Sequence, residues 1–401
     1  MQHRAILLTV ATLAFAAIAA AAPPHTDNPA TPRDGAQTLA LEQVFNRGHE
    51  DDDLFFGAIT TVQVGPDGAY YVLDQQLSQV PVLGAGGELL RVLSREGEGP
   101  GETRQPEDMV FLPDGSLGLA QYINGRIITL ALDGTPGRVI MPPGHVPGTG
   151  GLSSIRRVRY RGGSLVINGA EVAPATDGQT MVRTQYLKRC DEDGRPLVTY
   201  LERSTSQDLM RDGWIEKNNW FPSHERWDID ADGMVLAASD RNEYRVDVLA
   251  PDGTPVRSFG RAFRPWPRTE AEKQEIRDSL VVLSDGQRIT IDVQVEDAAP
   301  AIASVRAMAD GETWVLPVRG TREQPDGVMQ TYDVFDRDGV FVRQVAMACP
   351  GDPEEDRLVL LPGRRAALLR GAVQARRNTF GGNRQADANE VSVNDLVVYR
   401  W

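Results

Sequence analysis

Thr61-Val-Gln-Val-Gly-Pro-Asp-Gly-Ala-Tyr-Tyr-Val-Leu-Asp74 places largely alternating apolar residues on both sides of a Pro-Asp-Gly turn. Alternation is the two-residue period of a half-buried strand, and Asp-Gly supplies the positive φ angles that a tight hairpin requires. The same arrangement returns as Met109–Gly115 into Ser116–Gln121 and as Arg157–Gly163 into Ser164–Asn168. Later copies are Trp227–Gly233 into Met234–Asp240, Ser304–Gly311 into Glu312–Arg319, and a degenerate Arg357–Gly363 into Arg364–Arg370. A second turn follows most copies: Gly86–Gly87, Asp133–Gly134, Asp193–Gly194, Asp252–Gly253 and Asp338–Gly339. Each unit therefore carries about four antiparallel strands. The first-turn glycines lie at 68, 115, 163, 233, 311 and 363, so the spacings are 47, 48, 70, 78 and 52. Four-stranded units near 50 residues are the period of propeller blades. A sandwich would not repeat the same two turns in the same order. The reading is an all-β, six-bladed β-propeller over residues 38–401.

Ala69-Tyr-Tyr-Val-Leu-Asp74, Leu89–Ser94, the loop Arg95-Glu-Gly-Glu-Gly-Pro-Gly-Glu102 and Pro106 together resemble an NHL-type repeat. Arg126-Ile-Ile-Thr-Leu-Ala-Leu-Asp-Gly134 is similar to the second hairpin of that repeat. The whole chain thus resembles secreted bacterial six-bladed propellers of NHL-repeat-like type. Two departures stand out. Thr103 sits where such repeats carry Phe, and only the first blade has the full loop. The resemblance implies the fold. It leaves function open between binding scaffolds and lactonase-like hydrolases or lyases, the latter implying calcium.

The chain has 401 residues, 41% of them hydrophobic and 24% charged, which is ordinary for a globular protein. Its net charge of −14 repels phosphate backbones and excludes nucleic acid as a partner. Met1 to Ala22 reads as a signal peptide: His3 and Arg4, an apolar run from Ile6 to Ala19, then small residues offering Ala-x-Ala cleavage. Residues 1–22 are accordingly assigned to export toward the periplasm or exterior, and residues 23–37, polar and Pro-containing, to a disordered linker. No later stretch is apolar enough to span a bilayer, and a monomer is expected. Cys190 and Cys349 fall on non-adjacent blades and read as two buried thiols.

Ring closure requires a strand from the far end of the chain. Thr38–Phe45 is expected to pair antiparallel with Asp395–Trp401 in the last blade. Two insertions interrupt the repeat. Ser204–Arg226 is rich in Trp214, Trp220 and Phe221, which either pack on the ring or stack on a sugar. Thr269–Leu283 opens with a Thr269–Glu272 capping box and reads as a three-turn helix, packing on the ring or forming a lid. Gln374–Asn389 reads as a long flexible loop.

Polar residues recur at the ends of the second strands: Asp74, Gln121, Asn168, Asp240, Arg319 and Arg370. A ring of these at one face of the central funnel is a candidate site for a polar ligand, with arginine holding a carboxylate. The competing reading is that they bond turn backbone. His25, His49, His145 and His224 lie in regions read as loops or tail and show no zinc spacing. The expected function is a secreted scaffold that binds a small molecule, peptide or protein through the funnel. A calcium-dependent lactonase-like hydrolase or lyase is the alternative.

Overall fold

A computed structural model describes residues 22–142, 152–174, 180–207, 209–280, 282–284, 287–380 and 394–401. Six antiparallel sheets of four strands form the blades. Their innermost strands are Ile59–Val64, Pro106–Phe111, Leu152–Arg161, Trp227–Ile229, Ile302–Ala307 and Arg357–Leu361, in blades 1 to 6. The Asp-Gly hairpins fall where the repeat places them: Gly68, Gly115, Gly233 and Gly311 all have positive φ. Six apolar clusters hold the ring, one between each pair of neighbouring blades. The last of these packs Val62 and Val72 of blade 1 against Val359, Leu369 and Val398 of blade 6. Cys190 and Cys349 lie buried and unpaired in two different clusters.

Closure uses the N-terminal segment, in a register different from the expected one. Glu42–Arg47 is the outer strand of blade 6, with Phe45 opposite Val398 and Gln43 opposite Tyr399. Phe45 is buried and meets Tyr70 edge-on at 5.3 Å. Ala36–Ala40 does not join that blade. It runs parallel along the outer strand of blade 5, Leu39 beside Met347. Leu39, Leu41 and Trp401 nevertheless share the blade 5–blade 6 cluster, so the apolar side chains find one core although their backbones join two sheets.

The expected linker is also corrected. His25–Asn28 adds a parallel strand to the outer edge of blade 4. Buried Asn28 donates to the carbonyls of Gly260 and Gly339 at 2.8 and 2.9 Å and accepts from the Phe341 amide at 2.9 Å. A polar, Pro-containing composition hid a belt because edge strands are held by backbone bonds rather than by apolar side chains. Residues 1–21, most of the signal-peptide assignment, lie outside the described residues.

The inserted helix spans Glu270–Ser279, and both bonds of the Thr269–Glu272 capping box are present. None of its residues is buried; Lys273–Asp297 and Arg322–Glu272 ion pairs tether it. The segment expected as a loop inside blade 6 begins instead with a helix, Ala372–Phe380, whose Ala372 and Ala375 are buried. Its start is fixed by the Gly371 amide on the Asp356 carboxylate at 2.9 Å and the Val373 amide on the Glu355 carbonyl at 3.0 Å. Residues 381–389 of that expected loop lie outside the described residues.

Candidate functional site

The six residues singled out from the repeat mostly serve their own turns. Asp74, fully buried, accepts from the amides of Gly57, Ala58 and Leu77 at 2.7, 3.1 and 3.0 Å. Gln121 takes the Arg104 amide and donates to the Ile123 carbonyl. Asn168 donates to the Tyr186 carbonyl, and Asp240 accepts from the amides of Asn242 and Glu243. Arg319 stacks on Trp266 with 4.9 Å from guanidinium to ring centre, and Arg370 faces Asp395 at 3.9 Å. None of the six lines the cavity at the ring centre.

The register shows where the repeat reading fell short. Ile59 lies opposite Asp74, Pro106 opposite Gln121, and Arg157 opposite Asn168. The second-strand ends therefore mark the correct face but sit one strand outside the channel. The channel mouth is built where first strands begin, by Thr60, Glu107, Arg157, Arg226, Ala303 and Arg357. His224 and Glu225 join from the end of the Trp-rich insertion, and Arg376 from the Ala372–Phe380 helix. The insertion's aromatics mostly pack: Phe221 is buried beside Trp227 in the blade 3–blade 4 cluster. Trp220 lies under the Arg226 guanidinium at 4.6 Å.

The mouth encloses about 320 Å³. Its lining is apolar at Ala58, Ile59, Ala303, Ala372, Val373 and Ala375, and polar or charged elsewhere. Below it an ion-pair network fills the channel. Glu225 is bound by Arg306, and by Arg357 at 2.7 Å. Arg159 binds Asp108 at 2.8 Å and lies 4.0 Å from Asp228, and Arg157 stands 3.7 Å from Asp228. Further down, Arg161 donates to the carbonyls of Ile229 and Ala307, joining blades 3, 4 and 5 across the axis.

Cations exceed anions here. Arg156, Arg157, Arg159, Arg226, Arg306, Arg357 and Arg376 face Glu107, Asp108, Glu225 and Asp228, in a chain whose net charge is −14. Burial, with Arg159 and Arg306 beside it, pushes Arg157 well below the usual arginine value. Burial also tends to raise the Glu107 carboxyl, but His224, Arg376 and Gln75 outweigh it and bring its pKa to about 2. Glu107 is thus an anion, contacted by Arg376 at 3.1 Å and Gln75 at 2.9 Å.

His224 sits in the left-handed region, at φ 56°, an uncommon conformation for a residue with a branched aromatic side chain. Its Nε2 lies 3.2 Å from Arg376 and 3.5 Å from Arg156, and its Nδ1 3.2 Å from the Ser223 hydroxyl. Nε2 also lies 3.4 Å from the Glu107 carboxylate, so the ring sits between guanidinium donors and a carboxylate acceptor. Burial, aided by Arg156 and Arg376 and opposed by Glu107, lowers the pKa to about 4. The imidazole is neutral at pH 7. With the folded value below the unfolded one, stability is complete above about pH 6.5 and falls as pH drops toward 4. Replacing His224→Asn, which tolerates the same backbone, is expected to flatten the melting temperature between pH 7 and 5. An unchanged slope would contradict this assignment. The sequence offered one signal for His224: it closes an insertion directly before a first strand.

No family model and no curated protein sequence matches the chain. Solved structures do. A protein of Bacteroides fragilis described as exported is 11% identical, with TM-score 0.50, covering 94% of this chain and 99% of that one. Regucalcin of Agrobacterium tumefaciens, described as calcium-binding, is 12% identical, with TM-score 0.42 and coverages of 91% and 95%. Virginiamycin B lyase of Staphylococcus aureus is 7% identical, with TM-score 0.43 and coverages of 90% and 99%.

The chain folds as a six-bladed β-propeller.

Calcium takes six to eight oxygen ligands. Among the described residues no group of three or more His, Cys, Asp or Glu is arranged to hold a metal ion. The mouth carboxylates Glu107 and Glu225 are already engaged by arginine, and further guanidinium charge surrounds them. This donor set does not fit calcium. Nor, among the described residues, is any helix long and apolar enough to cross a membrane.

Proposed function

We propose that this propeller is an exported binding protein whose channel mouth takes a small anionic ligand. The observation that carries the reading is the excess of guanidinium groups over carboxylates around a 320 Å³ cavity, in a chain that is otherwise acidic. A cavity of this size falls in the range of small-molecule sites, and low-dielectric walls strengthen the attraction of fixed cations for an anion. The ion pairs below the cavity obstruct the channel, so the ligand enters and leaves by the mouth. The leader-like residues 1–22 support export.

Titration calorimetry of the purified protein at low ionic strength tests this, with benzoate, inorganic phosphate, glucose and calcium as probes. At least one of the anions is expected to bind, with affinity that weakens as salt is added. Binding of glucose or calcium with both anions silent would reverse the reading.

A further inference from the structure

Among the arginines of the mouth, Arg226 differs in how its charge is met. Arg357 and Arg376 each touch a carboxylate. Arg226 has no carboxylate within 4 Å among the described residues. Its Nε donates to the Ile302 carbonyl at 3.1 Å, and its guanidinium lies over the Trp220 ring, 4.6 Å from the centroid. Those two contacts fix the plane of the group and use one of its edges. Among the described residues neither Nη atom has a protein acceptor, and the residue lines the 320 Å³ cavity. The same cavity is lined by Ile59, Ala303 and Val373, whose side chains are apolar.

Resting on the anion reading above, we propose that the ligand is a small monocarboxylate with an apolar body. Its carboxylate lies bidentate on the Nη1–Nη2 edge of Arg226, and its body lies on the Ile59–Ala303–Val373 wall. A planar, pre-oriented guanidinium fits a carboxylate edge to edge, and a lysine in its place offers one point charge without the fork. Burial lowers the Arg226 pKa to about 10 against the opposing pull of Glu225, so the charge is held in a site short of anions. Of the three arginines lining the cavity, Arg357 and Arg376 are paired with carboxylates, so apolar lining beside the one unpaired guanidinium favours a ligand with a single charged end over phosphate or a sugar acid.

Calorimetry with benzoate, butyrate and inorganic phosphate reads the proposal, on the full protein and on two variants. Benzoate and butyrate are expected to bind at least about tenfold tighter than phosphate. Arg226→Lys, which keeps the charge, is expected to weaken benzoate by about tenfold or more, the size of one lost charged hydrogen bond. Should that variant fold poorly, Ala303→Phe fills part of the cavity while residue 226 stays an arginine. It is expected to abolish benzoate binding. Phosphate binding with both carboxylates silent would overturn the monocarboxylate assignment and leave the anion reading standing. All three probes silent would overturn both. Benzoate affinity unchanged in Arg226→Lys, or in a folded Ala303→Phe, would overturn the placement.

Discussion

A protein lacking residues 23–47 is expected to melt at least about 10 °C below one lacking only residues 23–40. The longer deletion removes the outer strand of blade 6 and with it Phe45, whose ring packs on Tyr70 of blade 1. Losing a buried Phe alone costs about 3–5 kcal/mol. The deletion also exposes the backbone of Asp395–Arg400 along a new edge and breaks the contact of Arg47 with the Gly87 carbonyl, at 2.7 Å, which ties the closing strand to blade 1. The shorter deletion strips parallel strands from blades 4 and 5 but leaves every blade with four strands. It should still be measurable, because Asn28 is buried and bonded on three sides. Calorimetric melting of the two truncations decides the matter. Equal melting temperatures would show that the ring does not depend on its last strand.

Glu225→Gln is expected to cost about 1–3 kcal/mol at pH 7, the penalty for leaving charged members of a partly buried ion-pair group without their partner. The substitution keeps the shape and leaves Arg306 and Arg357 without their anion. Burial tends to raise the Glu225 pKa, but Arg306, Arg357 and Arg157 outweigh it and hold the carboxyl well below its usual value. A carboxyl depressed in the folded state stabilises fully above the unfolded value near 4.5 and loses that contribution on acidification. The gap between wild type and variant in urea unfolding should therefore be constant from pH 7 to about 5 and narrow below about 4.5. A gap that is absent at pH 7, or that widens in acid, would mean that Glu225 is not the hub of the network.

The fold was legible because its signals are local. Asp-Gly turns and strand alternation are properties of a few neighbouring residues, and their spacing alone counts the blades. The capping box at Thr269 was readable for the same reason. The belt was not, because Thr38–Ala40 and His25–Asn28 gain their partners more than 200 residues away and lack the strong alternation of the inner strands. Closure was half legible: Leu39 and Leu41 do belong beside Trp401, while the strand that pairs is Glu42–Arg47. The site was missed by one strand. Polar residues at second-strand ends stand out against buried sheet, yet they are spent on turn amides, as Asp74 is. The mouth residues Glu107, Arg226 and Arg357 look unremarkable in sequence, since each stands among other charged residues where an apolar strand begins. Only the ring brings them to one axis.

The belt also sets an order of events. Its strands lie near the start of the chain, and the one that completes blade 6 hydrogen-bonds to Asp395–Arg400. A chain that emerges from its N-terminus must therefore carry Glu42–Arg47 unpaired until Asp395–Arg400 has appeared, about 350 residues later. Blades 1 to 3 can form as soon as their own hairpins are out, because their sheets are built from consecutive segments. Blade 6 cannot, and its apolar interface with blade 1 stays open meanwhile. Contacts of such sequence separation are slow to form and leave sticky edges exposed while they wait. For a protein of this build the hazardous interval is the last step of folding, and a factor that shields the half-closed ring would act there.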